Sequence, residues 1–300
     1  MDNLYLYRYK RFRMNINSIC VCGAGTMGSG IAQSAAQSGF YTILYDPVAA
    51  ALENAKAGME KNLQFITEKG KIGAGEKEKI IQRIRFTDDI HVCQSDIFIE
   101  AIIENSEIKI GLFNQLAELN HSECVFATNT SSLSVTKIAD GIINPQRVIG
   151  MHFFNPATIM KLVEVVNTEY TNEQTTQMVM ELAKAMGKTP VLCKDSPGFI
   201  VNRVARPFYT ESLRLAEEEI SSFEQTDTLL EATGFRMGPF KLMDLIGNDI
   251  NYAVSCSVYE QMNQPERLKP SLIQQQKVKE GKLGKKSGEG YYKYAPIPLP

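Results

Sequence analysis

Three glycines, Gly23, Gly25 and Gly28, stand in a G-x-G-x-x-G spacing at the end of the apolar run Ile19 to Cys22, and a helical pattern from Ser29 to Gly39 follows at once. That order suits the pyrophosphate of a dinucleotide. Gly23 allows a tight turn, Gly25 lets backbone approach the phosphates, and Gly28 lets the helix pack close to the strand. The segment Gly23-Ala24-Gly25-Thr26-Met27-Gly28 then presents N–H groups at the positive end of a helix. A second strand-like run, Tyr41 to Tyr45, ends in Asp46, eighteen residues after Gly28. A carboxylate there accepts hydrogen bonds from the adenosine ribose and repels a 2′-phosphate. Pro47 brings no compensating cation, so the expected cofactor is NAD rather than NADP.

A second group of residues could act on a substrate. His152, one of three histidines, lies in the apolar run Arg147 to Pro156, and Glu164 lies in the middle of Leu162-Val163-Glu164-Val165-Val166. A lone histidine in such a run is more often a satisfied core residue than a catalyst. A carboxylate inside an apolar strand, however, is costly unless partnered, and His152 is the economical partner if the chain reverses at Asn155-Pro156. Upstream, Asp96 to Asn105 reads as a buried parallel strand that delivers Glu104 and Asn105 at its carboxyl end, where open α/β sheets bind ligands. The strand Cys124 to Ala127 ends in Thr128-Asn129-Thr130-Ser131-Ser132, a cluster suited either to capping the next helix or to holding a ligand.

These groups need a scaffold, and 300 residues with 44% apolar content are enough for about two domains. The net charge of −2 gives no reason to expect nucleic acid. No apolar run approaches the roughly 18 residues of a membrane span, so no membrane role is expected. The six cysteines show no paired zinc spacing and no metal site is expected; Cys20 and Cys22 read as small buried hydrophobes, which fits a reducing cytoplasm. The fold class is α/β, a Rossmann-type, mostly parallel sheet domain over residues 15–196 followed by a smaller all-α domain over 197–300. Residues 1–14, with alternating tyrosines and four cations but no apolar core, read as a disordered extension, an early start site, or an arm for a membrane surface or partner. The helical pattern from Gly198 puts Phe199, Val201, Val204, Phe208, Leu213 and Leu215 on an apolar face, with Pro207 expected to kink it. Further helices are expected over Thr226–Thr233, Asp249–Glu260 and Ser271–Glu280, then a Gly- and Lys-rich loop, Gly284 to Tyr292. So small a helical domain suggests a homodimer. Lys61, Lys69 and Lys71 make the helical hairpin near residue 70 basic, either as a solvated face or to meet an anionic substrate tail.

Taken together, G-A-G-T-M-G-S-G-I-A, E-A-I-I-E-N, T-N-T-S-S-L-S, G-M-H-F-F-N-P, M-K-L-V-E-V-V, P-G-F-I-V-N-R and G-K-K-S-G-E-G-Y-Y resemble the 3-hydroxyacyl-CoA dehydrogenases, in order and spacing, over about residues 17 to 294. The second half is similar to the bacterial branch that oxidises 3-hydroxyadipyl-CoA in phenylacetate breakdown, and the 3-hydroxybutyryl-CoA branch of fatty acid metabolism is nearly as similar. The resemblance implies NAD-dependent, reversible oxidation of an (S)-3-hydroxyacyl-CoA. It makes His152 the general base, Glu164 the acid that orients it, and Ser131 and Asn202 the donors to the reacting oxygen. It places Gly23 to Gly28, Asp46, Glu104, Lys109, Ser131, Asn155 and Lys286 against the cofactor, and Asn62, Lys69 and Ser131 near the CoA thioester; Asn62 departs from the serine common there. A terminal carboxylate on an adipyl chain would want a cation, and Arg203, Arg206 and Lys241 are the candidates. Two other functions share such a fold: a free 3-hydroxy-acid dehydrogenase, a class that commonly has lysine where Asn202 stands, and a non-catalytic NAD-binding protein.

Overall fold

Buried parallel pairing of short apolar strands organises the first of two compact units, Met1–Asp195 and Ser196–Pro300. The computed structural model describes residues 16–73 and 75–295. The expectations for residues 1–14 therefore lie outside the described residues.

In the first unit, β1 (Ser18–Cys22), β2 (Tyr41–Tyr45), β3 (Ile84–Thr87), β4 (Ile97–Glu100), β5 (Val125–Thr128), β6 (Val148–Phe153), β7 (Leu162–Asn167) and β8 (Thr189–Lys194) form one sheet. The strand order is β3-β2-β1-β4-β5-β6-β7-β8. Every neighbouring pair is parallel except β6 with β7, which run antiparallel. Ile19, Val21, Ile97, Ile99, Val125 and Ala127 are wholly buried, as expected of strands covered on both faces. The helices are α1 (Thr26–Gln37), α2 (Ala49–Glu68), α3 (Glu76–Gln82), α4 (Ser106–Leu119), α5 (Val135–Asp140) and α6 (Glu173–Ala185). The strand order reverses between β1 and β4, and their carboxyl ends flank the crevice where such sheets bind ligands.

One boundary differs from expectation. β4 stops at Glu100, so Glu104 sits on the following loop and not at the strand's end. The side chain of Glu100 ends the strand by accepting the Ile102 N–H at 2.7 Å, and Asn105 then caps α4 by accepting from the Ile108 N–H at 3.1 Å.

The second unit consists of α7 (Val201–Glu217), α8 (Phe223–Ala232), α9 (Pro239–Ile246), α10 (Asn248–Gln261) and α11 (Leu272–Lys279). The sequence pattern does not predict α9. It starts with proline at its first position, and its N–H groups at Phe240 and Lys241 are capped from another helix by Asp227, at 2.9 and 3.0 Å. α7 runs through Pro207 as one helix. Of the expected inward residues, Phe199 and Leu213 are buried and Phe208 packs on the core, but Val204 is 73% exposed and Arg206 is buried instead. The Gly- and Lys-rich segment folds back onto Asp244, whose carboxylate accepts the N–H groups of Tyr291 and Tyr292 and the hydroxyl of Tyr294.

Candidate active site

β6 and β7 meet with His152 directly opposite Glu164. Opposed residues of an antiparallel pair share one face with their side chains in reach. Nδ1 of His152 lies 2.7 Å from Oε2 of Glu164, and the two residues are 6% and 1% exposed. An ionised carboxylate only accepts, so Nδ1 carries the proton and Nε2 holds the lone pair of the neutral ring. The ring also packs against Phe154, with centroids 4.6 Å apart. His152 is the fifth of six residues in β6, next to the carboxyl end of the strand.

A second, denser network braces the loop after β5. Lys109 of α4 is 1% exposed and its ammonium lies 2.6 Å from Oε1 of Glu100 and 3.2 Å from Oε2 of Glu104. Oε2 of Glu100 accepts the Thr128 hydroxyl at 2.7 Å. Oε1 of Glu104 accepts the Thr130 hydroxyl at 2.5 Å, the Ser131 N–H at 3.2 Å and the Ser132 hydroxyl at 2.9 Å. Burial pushes the Glu100 carboxyl above the usual range against the pull of Lys109. Burial acts in the same sense on Glu104, but there Lys109 and the Thr130 and Ser132 hydroxyls outweigh it and hold the group below that range. Oδ1 of Asn129 accepts the Phe153 N–H at 2.8 Å, which ties this loop to the end of β6. The hydroxyl cluster is thus not a helix cap: α5 is capped by Ser134, which accepts from the Lys137 N–H.

Sequence reasoning brought Glu104, Lys109 and Ser131 forward separately, and the structure joins them through one carboxylate. It missed Glu100, although the signal was the one that found Glu164, an acid inside an apolar run.

The glycine turn has the shape that a dinucleotide needs. Gly23 has φ +105°, and a Cβ there would stand 2.6 Å from the Ala101 carbonyl oxygen. Around Gly25 a Cβ would meet nothing within 4 Å, and that residue gives α1 no side-chain cap. Open space over uncapped helical N–H groups is where a pyrophosphate binds. Asp46 is held in place by the Ala24 and Val48 N–H groups, at 2.8 and 2.9 Å, one to each carboxylate oxygen. A Cβ on Gly28 would lie 1.8 Å from the Gly23 carbonyl oxygen. Gly28→Ala is therefore expected to push α1 off β1 and abolish cofactor binding; protein fluorescence quenching by NADH checks this, and an unchanged Kd would contradict it.

The remaining predicted positions are spread more widely. Oδ1 of Asn62 accepts from Gln33 at 2.8 Å, so that amide helps pack α1 against α2. Lys69 is exposed at the C-terminal cap of α2, with its ammonium 5.6 Å from the Phe65 ring centroid. Asn155 is exposed just beyond β6. Asn202 and Lys286 belong to the second unit: Asn202 is the second residue of α7, and Lys286 pairs with Asp249 at 2.6 Å. Among the described residues no group of three or more His, Cys, Asp or Glu side chains could hold a metal.

Residues 18–196 match the 3-hydroxyacyl-CoA dehydrogenase NAD-binding domain, and residues 198–294 match the C-terminal domain of the same family. The chain belongs to the 3-hydroxyacyl-CoA dehydrogenase family. A 3-hydroxyadipyl-CoA dehydrogenase of Escherichia coli is 47% identical over 93% of the chain, which spans only 59% of that relative's length. A probable 3-hydroxybutyryl-CoA dehydrogenase of Bacillus subtilis is 41% identical over 94% of this chain and 98% of its own. Among solved structures, a 3-hydroxybutyryl-CoA dehydrogenase from Escherichia coli superposes with a TM-score of 0.91 at 46% identity, covering 95% of this chain and 61% of that one. An (S)-3-hydroxybutyryl-CoA dehydrogenase from Ralstonia eutropha gives 0.89 at 34% identity, covering 93% and 99%.

Proposed function

We propose that this chain, with NAD as cofactor, reversibly oxidises (S)-3-hydroxyacyl-CoA thioesters to 3-ketoacyl-CoA. The observation that carries the reading is the buried 2.7 Å contact between His152 and Glu164 at the carboxyl edge of the sheet. Nε2 of His152 takes the proton of the C3 hydroxyl, and Glu164 balances the charge that the ring acquires. When bound, NAD+ supplies the acceptor for the hydride that leaves C3. Ser131 donates to the C3 oxygen and Asn202 is a second donor, which holds the carbon in the reactive orientation. Asp46 takes the ribose hydroxyls, and Gly23 to Gly28 cradle the pyrophosphate. Glu104, Asn155 and Lys286 complete the cofactor contacts, and Lys109 acts through the carboxylate of Glu104 that it grips. Lys69 and Asn62 serve the CoA moiety.

Relatives named for 3-hydroxyadipyl-CoA and for 3-hydroxybutyryl-CoA support either acyl group. Val204, Ile220, Leu229 and Leu272 are each more than three-fifths exposed on the helical unit, which supports a homodimer through it. Six free cysteines support a reducing compartment, the cytoplasm, and no described helix is long and apolar enough to cross a membrane.

The purified chain is expected to form NADH from either thioester and none from the matching free 3-hydroxy acids. Turnover of the free acids alone would move it to another substrate class. NAD binding without NADH from any compound would leave only a binding protein.

A further inference from the structure

Three cations are candidates to meet a charged group at the far end of an acyl chain, and their surroundings separate them. Lys241 is already neutralised, with its ammonium 2.9 Å from both oxygens of Glu231. Arg203 is exposed, and a solvated guanidinium gains little from one more ion pair. Arg206 is different. It is 3% exposed, and among the described residues no carboxylate comes within ion-pair distance of it.

The polar contacts of Arg206 are all to neutral acceptors. Nε donates to the Asn202 carbonyl at 3.0 Å, and Nη1 donates to the Asn251 carbonyl at 3.0 Å and the Ser255 hydroxyl at 2.9 Å. The guanidinium also lies 4.9 Å from the Tyr209 ring centroid. Among the described residues Nη2 has no hydrogen-bond acceptor. Burial pushes the group down to about 10, which still leaves it charged at neutral pH. A buried cation without a counter-ion is an expensive arrangement for structure alone. A carboxylate would supply one.

We infer that Arg206 forms the subsite for a second carboxylate at the distal end of the acyl chain, and that the substrates are ω-carboxy-3-hydroxyacyl-CoA thioesters of adipyl length. This rests on the dehydrogenase reading, with Asn202 at the C3 oxygen. Arg206 follows Asn202 by four residues on α7, about 6 Å of helix rise. In an adipyl chain the terminal carboxylate oxygens lie about 5 Å beyond C3, from three carbon–carbon bonds and a carbonyl bond. A butyryl chain ends one carbon past C3 and would leave the guanidinium without an anion.

The test compares kcat/KM for 3-hydroxyadipyl-CoA and 3-hydroxyhexanoyl-CoA, which have the same carbon count and differ in the terminal carboxylate. The wild-type chain is expected to favour the adipyl thioester by about 10-fold to 100-fold, the range for a hydrogen bond to a charged group. In Arg206→Gln that ratio should fall to near one, and Arg206→Lys, which keeps the charge without the fork, should fall between. A guanidinium that only braces Asn202 would lower both substrates by the same factor, and an unchanged ratio in the variants overturns the subsite. Should the variants fail to fold, the wild-type ratio decides: a hexanoyl thioester used as well as the adipyl one sinks the subsite and leaves the dehydrogenase reading standing. A wild-type chain inactive on both removes that reading and the subsite with it.

Discussion

Replacing His152 with glutamine is expected to lower kcat by about 10²-fold or more while NADH still binds, the usual loss when a general base is removed. Glutamine keeps a side-chain amide near the position of the ring but cannot take the proton. Glu164→Gln should cost a similar factor for a different reason. An amide can turn its NH2 toward Nδ1, and the ring then settles in the other tautomer, with the proton on Nε2 where the lone pair is needed. The two effects should not multiply: the double variant should be about as slow as either single one, because both disable one unit. Steady-state kinetics at saturating NAD+ with a separate NADH titration checks this. Near-normal turnover in either single variant would refute the proton-transfer role.

Lys109→Met should have the larger effect on stability. The ammonium is 1% exposed and is gripped by Glu100 and Glu104. Methionine keeps much of the volume and leaves Glu100, itself 0% exposed, without its cation. Breaking one side of a buried ion pair typically costs about 3–5 kcal/mol, a large part of the stability of an ordinary domain. The double variant Glu100→Gln, Lys109→Met should recover part of the loss, since no uncompensated charge then remains beside Thr128. Denaturant unfolding of the single and double variants measures both terms. The single variant should also lose stability relative to the wild type as pH rises from the ordinary carboxylate range toward neutrality, and its deficit should shrink in acid. Burial already raises the Glu100 carboxyl, and without Lys109 the raise is greater. A group whose folded-state pKa is raised costs stability as it ionises, so the penalty grows as pH climbs above the ordinary carboxylate range.

The parts of the site that were legible in the sequence are those where one residue type is conspicuous in its setting. Glu164 stands out as a charge among four aliphatic neighbours, and a hairpin after Pro156 brings His152 opposite it. Glu100 carried the same signal and was passed over because Ala101-Ile102-Ile103 extends the apolar run beyond it. Ile103 is in fact 63% exposed, so hydrophobicity there reports a loop and not a strand. α9 was hidden by its length of eight residues and by a cap supplied from Asp227, which no local pattern contains. In and just before α7 the inward places of Phe199 and Leu213 were legible, but the outward place of Val204 was not, because Arg206 turns inward and donates to the Asn202 and Asn251 carbonyls while Val204 lies outside.

The lone antiparallel seam of the sheet ties correct strand alignment to chemistry. Slipping β7 along β6 by a single position would turn Glu164 toward the opposite face, leaving an imidazole with no orienting partner and an acid among aliphatic side chains. Molecules trapped in that misalignment would be inert however intact their other strands, so the specific activity of a refolded preparation counts the hairpins that closed in the right phase.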